Sequence, residues 1–214
     1  MIVAFSGIDS SGKTTQIDIF EKYCKENKIC VGKIWGKGRG TPGVMLIKGI
    51  VRGDRRMTPE QKKKYRANVY KNSRKRKLLL TASILDLWWY FGLWYRIMNW
   101  THKILICDRY LWDTYIDFRS EFPEFEIDNW FIWKTAVKLA PKPKHSFMFY
   151  ITAEVSYRRD QQKGDLTLDP LEVKVAKVDK YMKLINSGKW EVVIDGTRDR
   201  ESISKEVFKT VFGE

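Results

Sequence analysis

Residues 2–15 read Ile2-Val3-Ala4-Phe5-Ser6-Gly7-Ile8-Asp9-Ser10-Ser11-Gly12-Lys13-Thr14-Thr15. Ile2 to Ser6 is a short apolar run of β character, and Gly7 to Thr14 fits G-x-x-x-x-G-K-[ST], the spacing of a phosphate-binding loop. Two glycines allow backbone conformations closed to other residues and let the chain approach a ligand closely. A turn of this kind aims successive N–H groups at an anion, and the helix that follows adds its positive end. Lys13 is placed to reach terminal phosphates and the Thr14 hydroxyl to bind Mg²⁺. The alternative is a glycine-rich turn that binds no nucleotide.

The pattern outward from this loop predicts an α/β protein. Ile17, Phe20 and Cys24 fall at i, i+3 and i+7, one apolar stripe of a helix from Lys13 to about Asn27, with Tyr23 beside it. Ile29 to Trp35 reads as a second strand. A strand–helix–strand start predicts a parallel sheet with helices on both faces. Further strands are predicted at Lys103–Cys107, Ser146–Ile151 and Glu191–Ile194. Helices are predicted at Asp128–Leu139, Glu172–Asn186 and Arg200–Phe212. The chain of 214 residues is of a size for one domain, residues 1–214, with no evident linker or repeat.

Charge is the second feature. The formal net charge is +14. Residues 52–77 hold twelve Lys and Arg against Asp54 and Glu60, a net of +10. Such a surplus attracts nucleotides, nucleic acid, acidic glycan or an acidic membrane face, or it is a solvated helix face beside a phosphate site. Leu78 to Met98 is apolar and aromatic but is interrupted by Asp86, Gly92 and Arg96. It reads as a buried helix forming core and one pocket wall. Peripheral membrane contact together with the polybasic run is the other reading. Ile2 opens a strand with no basic segment before it, and Cys24, Cys30 and Cys107 show no metal-ligand spacing, so a cytoplasmic protein with reduced thiols is expected.

Three further stretches carry candidate chemistry. Asp108-Arg109-Tyr110 follows the third strand directly. A carboxylate there is suited to organise Mg²⁺, and the guanidinium beside it to clamp a phosphate; a structural salt bridge is the alternative. Gly36 to Gly43, with Lys37 and Arg39, lies past a strand's carboxyl end, where ligands bind in such sheets; it is an anion site or a connector. Residues 154–170, with Arg158 and Arg159, are a lid-like arginine segment or an ordinary charged helix end.

In order and approximate spacing, the Gly7–Thr15 loop, Asp108-Arg109-Tyr110, Arg158-Arg159 and Ile194-Asp195-Gly196 resemble thymidylate kinase-like P-loop kinases over nearly the whole chain. The resemblance implies a three-layer fold with a five-stranded parallel sheet of order 2-3-1-4-5. It also implies ATP and Mg²⁺, transfer of the γ-phosphate to a phosphate or hydroxyl of an anionic small acceptor, and dimerisation through a helical face. Carried over, Gly7, Asp9, Ser10, Ser11, Gly12, Lys13, Thr14 and Thr15 would bind nucleotide, with Lys13 on the β- and γ-phosphates. Thr14 and Asp108 would serve the metal. Asp9 would lie near metal and acceptor, and Arg109 with Arg158 or Arg159 would stabilise the transferred group. Arg39 would meet the acceptor phosphate, and the loop with Gly196 and Arg198 would pack on adenine.

The acceptor side departs from the family pattern. Ser83 and Leu87 stand where thymidylate kinases carry a Phe and an Arg for the thymine ring, and Asp117-Phe118 replaces a Tyr-Gln pair. Trp88 is a candidate replacement for the stacking ring, and Asp117 a candidate for sugar hydroxyls or an amine. A site without base-reading groups loses discrimination for that base, so an acceptor other than thymidylate is expected. A sugar, glycan or lipid-linked acceptor is one alternative. A polyanion- or membrane-binding module that uses ATP as a switch is another.

Overall fold

The computed structural model describes residues 1–36, 72–163 and 169–213. The elements in order are β1 (Ile2–Gly7), α1 (Lys13–Glu26), β2 (Val31–Trp35), α2 (Ser73–Trp89), one π-helical turn (Tyr90–Trp94) and α3 (Tyr95–Thr101). After these come β3 (Ile104–Asp108), α4 (Leu111–Glu121), a 3₁₀ turn (Ile127–Asn129), α5 (Phe131–Leu139) and β4 (His145–Tyr150). The chain closes with α6 (Ala153–Gln162), α7 (Leu171–Asn186), β5 (Val192–Asp195) and α8 (Arg200–Phe212). The sheet is parallel throughout with order β2-β3-β1-β4-β5, as expected.

The chain divides into two compact units, one of Met1–Lys37, Met98–Asp117 and Lys142–Glu214, the other of Gly38–Ile97 and Phe118–Pro141. The first holds the sheet. β1 is buried along its whole length, as a central strand covered on both faces must be. On one face Val3, Phe5, Ile106, Phe147 and Phe149 pack against Ile17, Phe20 and Cys24 of α1 and Ile203 and Val207 of α8. The predicted α1 stripe is therefore core. Tyr23 at its edge meets the rings of Phe208 and Phe212. On the other face Met148 packs with Ile8, Ile116 of α4, and Val178 and Tyr181 of α7.

In the second unit the Trp88 indole N–H donates to the Ile132 carbonyl at 2.8 Å, and Arg76 pairs with Glu124 above the Phe122 ring. The predicted buried helix over 78–98 is only half right. Leu80, Ala82, Ile84, Phe91 and Tyr95 are buried, but Leu78, Leu85, Trp89, Leu93, Trp94 and Ile97 are exposed. Bulky apolar residues all round the helix hid this two-sidedness, because they leave no periodic contrast to read. The helix predicted over 128–139 starts at Phe131, because extended backbone at Trp130 separates it from the 3₁₀ turn. Among the described residues no helix is long and apolar enough to cross a membrane. Arg39, most of the 52–77 run and residues 164–168 of the lid-like stretch lie outside the described residues.

Candidate active site

The phosphate loop connects β1 to α1. Gly7 has φ +142, and a Cβ there would sit 2.4 Å from the Phe149 carbonyl oxygen, so only glycine fits. Four successive loop carbonyls are held by side chains. Lys13 Nζ donates to Gly7 O and Ile8 O, each at 2.9 Å. Ser156 Oγ donates to Asp9 O at 2.8 Å, and an Arg159 guanidinium N–H to Ser10 O at 3.1 Å. In a trans peptide the N–H points opposite to the carbonyl. Fixing these oxygens therefore turns the N–H groups of the same peptide units to the other side, which is the geometry of an anion cradle.

Lys13 is buried, and burial first, with Arg109 adding to it, pushes its pKa down to about 8, against the opposing pull of Asp113, Asp9 and Asp108. A buried ammonium of this kind favours an arriving anion. Thr14 is exposed in the first turn of α1, and Ser11 is buried with no hydrogen-bond partner for its Oγ among the described residues.

β3 delivers Asp108 and Arg109. Strand register sets Asp108 beside Phe5 and Trp35. Side-by-side residues of neighbouring strands share a face, and Phe5 packs on the α1 side. The Asp108 carboxylate is thereby aimed toward the side where α1 and its Thr14 lie. Asp108 is half-buried, and burial raises its pKa although Lys13 and Arg109 pull it down. Among the described residues its carboxylate accepts no hydrogen bond. Gly36, just past β2, donates its N–H to Asp108 O at 2.7 Å, and a Cβ on it would lie 2.2 Å from Arg109 O.

Arg109 has φ +70, an uncommon conformation for a residue with a side chain and a feature of functional turns. It is 5% exposed. Its guanidinium donates to Asp9 and lies 3.9 Å from Asp113. Burial works against its charge, but Tyr181, Asp113 and Asp9 more than offset this and hold its pKa above the ordinary arginine value.

Asp113 was not anticipated from the sequence. It is fully buried and accepts from Ser6 Oγ at 2.6 Å, Gly7 N–H at 3.1 Å, Tyr110 N–H at 2.9 Å and Tyr181 OH at 2.7 Å. One carboxylate thus ties the phosphate loop, the Asp108–Tyr110 turn and α7 together. A signal was available: Tyr110 precedes the first helical residue and Asp113 stands three on, the spacing at which an acidic side chain reaches back to the N-cap N–H.

Arg158 is exposed on α6, whereas Arg159 is engaged on both sides, to Ser10 O and at 3.0 Å to Gly196 O. Asp160 and Lys174, also not anticipated, form a buried pair at 2.5 Å. Ser10 Oγ donates to Asp160, and Lys174 also reaches Ser156 Oγ at 3.2 Å. Burial would raise the Asp160 pKa, but the Lys174 and Ser10 hydrogen bonds override it and keep it low. Gly196 lies against the Ser11 carbonyl, so the 195–198 loop does flank the phosphate loop; Arg198 pairs with Glu206 at 2.5 Å. Thr15 is half-buried behind Thr14. Asp117 pairs with Lys177 at 3.0 Å. Trp88 belongs to the second unit and Arg39 is outside the described residues.

The residues present fit a nucleotide with Mg²⁺. An exposed Thr14 hydroxyl and an Asp108 carboxylate that accepts no hydrogen bond among the described residues are hard oxygen donors, and Mg²⁺ commonly takes one or two of these and completes its shell with water and phosphate. Among the described residues no group of three or more His, Cys, Asp or Glu could hold a metal ion.

The Thymidylate kinase family model matches residues 5–207, which covers the loop, the Asp108–Arg109 turn, α6 and the 195–198 loop. The chain belongs to the thymidylate kinase family and is an ATP-dependent P-loop kinase, a phosphotransferase.

Proposed function

We propose that this kinase transfers the γ-phosphoryl group of ATP to a nucleoside monophosphate other than thymidylate. The observation that carries the phosphoryl-transfer reading is the juxtaposition of the pinned loop with Lys13, Asp108 and Arg109 on adjacent strand ends. Lys13 Nζ, which uses two of its three N–H donors on Gly7 O and Ile8 O, presents the third to the β- and γ-phosphates. Thr14 and Asp108 hold Mg²⁺, directly or through water, and the metal supplies charge neutralisation across the phosphate oxygens. Arg109, which the resemblance places at the transferred group, also takes the acceptor phosphate, because it faces Asp9, the loop residue expected near the acceptor; Arg39, the resemblance's acceptor-phosphate arginine, lies outside the described residues. The exposed Arg158 is the α6 arginine assigned to the transferred group, while Arg159 shapes the cradle. Adenine packs beside Gly196 and Arg198. The chemistry needs positioning and fixed positive charge, and no covalent enzyme intermediate.

The acceptor reading rests on the groups that replace the thymine contacts. Ser83 and Leu87 offer neither a stacking ring nor a base-directed guanidinium. Trp88 has its indole N–H on the Ile132 carbonyl, which supports a packing role. The test is a specificity comparison: kcat/KM for thymidylate against the other nucleoside monophosphates at saturating ATP and Mg²⁺. The expected result is at least tenfold preference for another monophosphate; thymidylate as the best acceptor overturns it.

A further inference from the structure

α7 carries Lys177, whose side chain is 12% exposed and whose Nζ lies 3.0 Å from Asp117 Oδ1 and 3.9 Å from Asp9 Oδ2. Asp9 already accepts from Arg109. The charges therefore alternate in the order Arg109, Asp9, Lys177, Asp117, with one carboxylate between two cations.

The two cations do not hold Asp9 equally. Arg109 is fixed: it sits in a left-handed turn, donates to Gly7 O at 3.5 Å and is backed by the buried Asp113. Asp9 has a side chain 44% exposed, while its backbone is fixed by the Ser156 bond to its carbonyl. Rotation of its side chain alone moves the carboxylate from Arg109 toward Lys177. An acceptor phosphate that approaches Arg109 must displace this carboxylate, and a displaced carboxylate without a counter-charge is unfavourable in a partly desolvated site.

We propose that Lys177 is a positioning residue that receives Asp9 when Arg109 turns to the acceptor phosphate. Asp117 competes for the same ammonium, so that Lys177 does not strip Asp9 from Arg109 before the acceptor arrives. This inference rests on the assignment of Arg109 to the acceptor phosphate.

The experiment measures KM for the acceptor and for ATP separately, using the best nucleoside monophosphate of the wild-type panel, in K177M, K177R and K177Q, with a thermal unfolding curve for each. K177M is expected to raise the acceptor KM about tenfold while leaving the ATP KM within about twofold, and K177R to restore most of the loss. K177Q, which keeps a polar side chain but no charge, is expected to raise the acceptor KM as K177M does. An unchanged acceptor KM in K177M overturns the proposal, as does an equal rise in both constants with a lowered melting temperature. A wild-type acceptor KM in K177Q also overturns it, and that variant decides the matter should K177M fail to fold. Wild-type protein that phosphorylates no nucleoside monophosphate removes the underlying assignment; failure confined to the variants removes the exchange alone.

Discussion

Asp113 shows what a single buried carboxylate does when every lone pair has a donor. Ser6, Gly7, Tyr110 and Tyr181 all point at it, and Arg109 lies within 3.9 Å. Asp113→Asn replaces one acceptor oxygen with an NH₂ group that faces donors. A buried donor left unsatisfied costs about 1–3 kcal/mol. The expected outcome is a loss of roughly 2 kcal/mol in denaturant unfolding, with kcat down on the order of a hundredfold as Arg109 and the loop lose their anchor. Wild-type kcat in a folded Asp113→Asn protein contradicts the assigned role. Lys13 gives a second prediction at this scale. Its pKa of about 8 in the free protein must rise when a phosphate binds, because an opposite charge favours the charged form. ATP binding therefore weakens as pH rises above about 8, by up to about tenfold per unit until the bound-state pKa is reached. The measurement is ATP affinity from pH 7 to 10; a flat profile excludes the linkage.

The turn between β3 and α4 is the element on which the chemistry depends, and β2 enforces its shape. A Cβ on Gly36 would fall 2.2 Å from the Arg109 carbonyl. Gly36→Ala must therefore push the Asp108–Arg109 backbone aside, and about a 10²-fold fall in kcat is expected from a misplacement of this kind with the sheet retained. Circular dichroism with steady-state kinetics checks it. Elements differed in how legible they were. β1, α1 and β3 announced themselves because buried parallel strands and a one-faced helix leave plain apolar patterns. The α2–α3 run did not, since aromatic residues occupy its exposed and buried sides alike. Residues that act through loop backbone and turns, such as Gly7 and Asp108, were readable from spacing. Asp160, Lys174 and Lys177 were not, because their partners are set by packing between elements, and Asp113 offered only its spacing to Tyr110, since Ser6, Gly7 and Tyr181 reach it from far along the chain.

At the scale of the molecule, the sheet order places β1 between β3 and β4, so the loop after β1 receives Asp108 and Arg109 from one side. From the other side, α6 after β4 brings Ser156 and Arg159. That arrangement converts a nucleotide cradle into a site for transfer, and it makes release of a label a direct test. With ATP labelled in its γ-phosphate, Mg²⁺ and a panel of nucleoside monophosphates, the label is predicted to appear in a nucleoside diphosphate, and to be lost in Arg109→Ala. Label that stays in ATP, or goes only to inorganic phosphate with every acceptor, contradicts the account.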